Sequence, residues 1–181
     1  MGESPVLAGQ SVTDQMLNGL PVTLSTLVTG SVSNSATETV IGSFTIPADD
    51  AVAGSGYEFR VFGSADMLAS ATTRFRLRLA SATGTLLMQG AALSCPGAAT
   101  GRPWGLRGTL YANAAGSSGL IDGWSWWAEE LQSTTPSEQA SSCLAVAVDW
   151  TAAVTLVVTA DWGAASASNV ARTLDGGLNR I

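Results

Sequence analysis

From Glu38 onward, apolar and polar residues alternate with a period of two, the spacing of a strand that buries one face. Val40, Gly42, Phe44 and Ile46 fall on one side, and Pro47-Ala48-Asp49-Asp50 ends that strand as a turn. Tyr57, Phe59 and Val61 oppose Glu58 and Arg60. The clearest alternation sets Arg74, Arg76 and Arg78 against Phe75, Leu77 and Leu79. Thr83-Gly84 then turns the chain into the run Leu86 to Leu93. Further strands are expected at Leu106 to Asn113, Leu120 to Leu131, Leu144 to Trp150, Val154 to Trp162 and Asn169 to Leu174. Gly97 to Gly101 and Gln132 to Ser137 read as loops. About nine strands with turn signals between them, no long helical pattern and no internal repeat predict an all-β antiparallel β-sandwich. Its expected form is jelly-roll-like: eight core strands and an N-terminal arm.

The first 35 residues follow a different pattern, which divides the chain into an arm, 1–35, and a β-sandwich domain, 36–181. Ser11 to Asn18 carries a helix signal with Asn18-Gly19 as its stop, and an uncharged Thr/Ser/Val/Leu stretch follows Pro21. The segment reads as an arm that packs on something else, for anchoring or strand-swapping, or as a first strand after a short helix. Val12, Met16, Leu17, Leu20, Val22 and Leu24 are its candidate interface residues.

Composition narrows the chemistry. Charged residues make up 12% of the 181, against about a quarter in an average domain, while apolar residues reach 46%. The eight positive charges are all arginines; the chain has no lysine and no histidine. Histidine-based nucleophile systems, the commonest metal ligand, P-loops and Schiff bases therefore lack their essential residue. A net charge of −6 disfavours nucleic acid and anionic membranes as partners. No apolar run approaches a membrane span, and Met1 to Pro5 has an acid where a secretion signal has its basic region. The expectation is a non-enzymatic chain with no cofactor, no metal and a neutral surface that takes a partner.

Three groups remain as candidates. Arg74, Arg76 and Arg78 share a strand face, either as an anion-binding stripe or, more simply, as an ion-paired sheet face using acids such as Glu58, Glu129 and Glu130. Trp124 and Trp126 share one face of their strand and Trp127 takes the other. A sandwich buries only one face of each sheet, so one set is left for a protein interface, for ordinary packing or for sugar stacking. Asp49-Asp50, Glu129-Glu130 and a cross-strand pairing of Asp149 with Asp161 are the carboxylate pairs available for acid–base chemistry, and no catalytic motif accompanies them. Cys95 and Cys143 fit two buried thiols or, in an oxidising setting, a disulfide.

Two stretches carry a resemblance. Glu38-Thr39-Val40-Ile41-Gly42-Ser43-Phe44-Thr45-Ile46-Pro47, with Gly54 and Tyr57-Glu58-Phe59-Arg60-Val61 after it, is one. Val148 to Trp162, running into the small residues Gly163 to Asn169, is the other. Both resemble β-rich structural proteins of tailed bacteriophages, particularly of actinobacterial hosts, and Ala8 to Asn18 is similar to the opening of many such virion proteins. The resemblance implies a virion location, the capsid exterior favoured over the tail. It implies a capsid decoration protein or head fibre that binds and stabilises the assembled shell, commonly as a homotrimer. The partners it implies are other copies of the chain and the major capsid protein or neighbouring virion proteins. The alternative is a tail or fibre module that binds host surface glycan.

Overall fold

The computed structural model describes residues 22–129 and 137–181. Among them are thirteen strands and no helix: β1 (Val22–Thr26), β2 (Val28–Thr29), β3 (Ser31–Ser33), β4 (Thr39–Ile46), β5 (Gly56–Met67), β6 (Thr72–Leu79), β7 (Leu86–Gln89), β8 (Leu93–Ser94), β9 (Ala99–Ala114), β10 (Gly119–Glu129), β11 (Ser137–Val148), β12 (Val154–Trp162) and β13 (Val170–Arg180). They form two antiparallel sheets. The larger runs β1-β13-β5-β9-β10-β11, with β3 also beside β13; the smaller runs β2-β4-β12-β6-β7, with β8 beside β6.

This order is a jelly roll with two additions, the two-residue β8 beside β6 and a hairpin in the larger sheet. If β1 to β3 count as a single first strand, then that unit, β4, β5, β6, β7, β9, β12 and β13 are strands one to eight. They lie 1-8-3-6 in the larger sheet and 2-7-4-5 in the smaller. The hairpin β10–β11 enters after the sixth strand and widens the larger sheet at the β9 edge.

Of the 1–35 arm, residues 1–21 lie outside the described residues, and with them Val12, Met16, Leu17, Leu20 and the helix signal. Residues 22–33 stitch the two sheets together. Val22 pairs opposite Arg180 on β13, Val28 crosses to Ser43 on β4, and Val32 returns to Ala171 on β13. Thr173 fastens the crossing. It accepts the Gly30 amide at 3.0 Å and donates to the Ile41 carbonyl, although a β-bulge follows it in β13.

One core fills the sandwich. Tyr57, Phe59 and Val61 from β5, Leu106 and Leu110 from β9, and Leu156, Val158 and Trp162 from β12 are buried. Each such side chain contributes roughly 1.5–3 kcal/mol relative to an exposed one. Phe75 stacks on Trp104 and Trp127 at 4.3 and 6.4 Å between ring centroids.

Several expectations need correction. In β4 a bulge places Val40 opposite Thr159 and Gly42 opposite Val158, so Ile41 turns inward and Val40 outward, one residue out of phase with the alternation. Leu86 to Leu93 is two short strands broken at Gly90. The strand expected from Leu106 starts at Ala99, inside the stretch read as a loop, which puts Trp104 within the strand. Ser137 likewise opens β11, seven residues before the expected strand. The last strand runs on to Arg180, because a bulge carries it past Leu174 into Asp175-Gly176-Gly177.

Candidate functional site: the aromatic face of the larger sheet

The outer faces of the two sheets differ in kind. On the smaller sheet, Phe75 and Leu77 point into the core, which turns Arg74, Arg76 and Arg78 outward. Arg76 bonds Asp161 and lies 3.2 Å from Glu38; Arg78 takes both Glu38 oxygens, one at 3.0 Å, and donates to the Gly84 carbonyl at 2.9 Å. Thr159 donates a further hydrogen bond to Glu38. Burial pushes the Glu38 carboxyl up, but the hydrogen bonds from Arg78 and Thr159 and the charge of Arg76 outweigh it and hold the group below the usual glutamate value. Among the described residues, the acids that pair with the stripe are thus Glu38 and Asp161, where the sequence suggested Glu58, Glu129 and Glu130. Arg74 faces Asp161 in register, yet Asp161 pairs with Arg76. Beneath the network Val157 and Thr159 are buried.

The larger sheet is aromatic. Of the chain's twelve Phe, Trp and Tyr residues, four are exposed: Phe62, Tyr111, Trp124 and Trp126. All four lie on its outer face, since their strand neighbours Val61, Leu110, Ser125 and Trp127 are buried inward. Trp124 and Trp126 share this face and Trp127 is in the core, the division that strand alternation predicts. The exposed pair meets edge to face, with centroids 4.2 Å apart and planes at 80°, and the Arg107 guanidinium lies 5.0 Å from the Trp126 ring. Of the arm candidates, Val22 is exposed at the sheet edge and Leu24 packs partly against the core.

Beside Trp126 the face dips into an open groove of about 490 Å³. Register explains it. Phe62, Gly105, Ala128 and Glu138 are directly opposite one another across β5, β9, β10 and β11; in the adjacent row stand Arg60, Arg107 and Trp126. Gly105 and Ala128 make a low floor, Phe62 and the Arg107–Trp126 pair make the walls, and Glu58 and Glu138 flank them. By contrast, the hollow under Trp104 and Trp127 measures about 10 Å³, room for a water at most.

Asp149 and Asp161 do not come together. Asp149 precedes β12 and is tied to Thr151, whereas Asp161 sits near its far end, a separation of roughly 20 Å at strand rise. Asp50 is held by Tyr57 and Arg180. Glu130 is outside the described residues. Cys95 and Cys143 are free and buried, and burial and then the Asp122 charge push the Cys143 thiol up to about 11.

Sequence reading missed Phe62, Arg60, Arg107, Gly105, Glu58 and Glu138 as groove residues. Phe62 was within reach: with Tyr57, Phe59 and Val61 inward, the same alternation puts an aromatic ring on the outside. Gly105 and Glu138 needed the strand register, which no local pattern supplies.

No protein-family description matches the chain, and no curated protein matches it. Among solved structures it is similar to the CBM2 module of the evolved Dit of Lactobacillus casei BL23 phage J-1, at 12% identity and a TM-score of 0.33, over 82% of this chain and 73% of that one. A likeness at that score is too slight to bear on fold or function.

Proposed function

We propose that this chain is a non-enzymatic structural protein of a bacteriophage virion and works by adhesion through the outer face of its larger sheet. One observation carries the adhesive part: the exposed aromatics all stand on that face, while the other sheet is closed over by its own ion pairs. Exposed, pre-packed tryptophans beside an arginine are the residue types that dominate binding energies. The virion part rests on the resemblance of Glu38 to Val61 and Val148 to Asn169 to phage structural proteins.

In its finer form, the chain is a capsid decoration protein that binds and stabilises the shell as an oligomer, with Trp124 and Trp126 as anchors. A second reading, a tail or fibre module that binds host surface carbohydrate, is favoured by the groove between Phe62 and Trp126. Cryo-electron microscopy of purified virions tests both. Regular density at the symmetry axes of the shell, with the larger sheet at the contact, is the result expected of decoration. A few copies confined to the tail would remove that form and leave the second, and absence from the particle would remove both.

A further inference from the structure

We propose that the groove between Phe62 and Trp126 binds a run of uncharged pyranose sugars. The inference rests on the reading of this face as the adhesive one and takes its carbohydrate form.

Shape is the first support. The groove's volume, about 490 Å³, lies within the roughly 300–1,000 Å³ of small-molecule sites. Its floor is open for no reason of packing. A Cβ on Gly105 would sit 3.5 Å from the Val61 carbonyl oxygen and 3.7 Å from the Phe62 ring, ordinary contacts, and its backbone needs no positive φ. Elsewhere on these strands glycine is required: a Cβ on Gly108 or Gly123 would come within 2.4 or 2.6 Å of a neighbour. Gly105 keeps a trough free that the fold would let a side chain fill.

The walls are the second support. The C–H face of a pyranose stacks on aromatic rings, and here two rings flank a low floor. Trp126 is pre-set for the role, held by the Arg107 guanidinium and by Trp124 nearly perpendicular to it, so that little rotamer freedom is left to lose on binding.

Charge selects the kind of sugar. The groove carries two carboxylates, Glu58 and Glu138, and two guanidiniums, Arg60 and Arg107. Among the described residues none of the four makes a hydrogen bond or ion pair. Acceptors and donors are therefore both uncommitted and sum to zero charge. A ligand rich in hydroxyls, each able to donate and accept, matches that set; an anionic polymer would meet the two carboxylates, and a cationic one the two guanidiniums.

The test is affinity electrophoresis of the purified chain through gels containing neutral glucans, mannans or galactans, with polygalacturonate as the acidic control. Retardation by at least one neutral polymer is expected, and not by the acidic one. Gly105→Val, which fills the floor, and Phe62→Ala should each weaken it about tenfold or more while the thermal midpoint of Gly105→Val stays at the wild-type value. No retardation by any neutral polymer, retardation by the acidic polymer alone, or undiminished binding by Gly105→Val would each overturn the proposal. Assembly with Trp124→Ala separates it from the parent reading. If no sugar binds but such virions shed the chain, the adhesive face stands and the sugar falls; if neither sugar binding nor virion retention depends on the face, both fall.

Discussion

Glu38 and Arg78 form a two-pronged ion pair in which both carboxylate oxygens of a residue just ahead of β4 meet the guanidinium of a strand two places away in the smaller sheet. Arg76 and Thr159 converge on the same carboxylate. Glu38→Gln should therefore lower stability by about 1–3 kcal/mol at neutral pH, measured by chemical denaturation.

The same pair sets a pH dependence. Because the folded-state pKa of Glu38 is below its unfolded value, its contribution is fully present above the unfolded value of about 4.3 and is lost as pH falls through the folded one. The stability gap between wild type and Glu38→Gln should hold steady from neutrality to about pH 5 and narrow below about pH 4. A gap that widens on acidification would contradict the network.

Trp127 and Trp124 are three residues apart and face opposite ways, one 4% exposed in the stack with Phe75 and the other at the surface. Trp127→Ala should cost about 3–5 kcal/mol, as large core truncations do. Trp124→Ala should cost about 1 kcal/mol or less. Paired thermal or urea melts of the two variants check both, and equal losses would mean the faces are misassigned.

Thr173 bonds to both Gly30 and Ile41 while 4% exposed, so Thr173→Val keeps its shape and strips its polarity. Leaving the Gly30 amide and the Ile41 carbonyl without this partner should cost about 1–3 kcal/mol. Hydrogen exchange offers a finer check: amides of β1 and β3 should lose protection before those of β9 and β10.

Cys143 is buried, with its thiol pushed up to about 11, so little thiolate exists at neutral pH. A maleimide should leave the native chain unlabelled and modify both Cys95 and Cys143 after denaturation. Rapid labelling of Cys143 in the folded protein would show that the β10–β11 hairpin opens readily.

Elements that follow one simple period were legible in the sequence. β12 spans Val154 to Trp162 as expected, and in β6 the alternation gave the inward face of Phe75 and Leu77, although the strand opens at Thr72, ahead of Arg74. What escaped notice lies where a second effect overrides the period. The bulge in β4 shifts Ile41 and Val40 by one, which residue types alone do not reveal. The opening of β9 is rich in glycine and holds Pro103, signals of a break, yet pairing with β5 on one side keeps it extended. The opening of β11 has no apolar alternation because its inward side chains are polar: Gln139 accepts the Ala91 amide and Ser141 the Gln89 amide, capping the free edge of β7 across the sandwich. Among the site residues, local alternation gave the Trp124/Trp126 pair. The groove depends on which strands are neighbours, a property of the whole topology.

The place of β13 also sets an order of events. It follows all the other described strands in chain order, yet it lies between β1 with β3 on one side and β5 on the other. Until Arg180 has left the ribosome, the larger sheet exists in two unjoined pieces, and the stitching segment 22–33 has no partner in that sheet. Closure must span nearly the whole chain, the most entropically costly kind of pairing and the slowest. Two open strand edges wait through synthesis for their shared partner, a window in which another nascent copy offering its own β13 would satisfy them equally well.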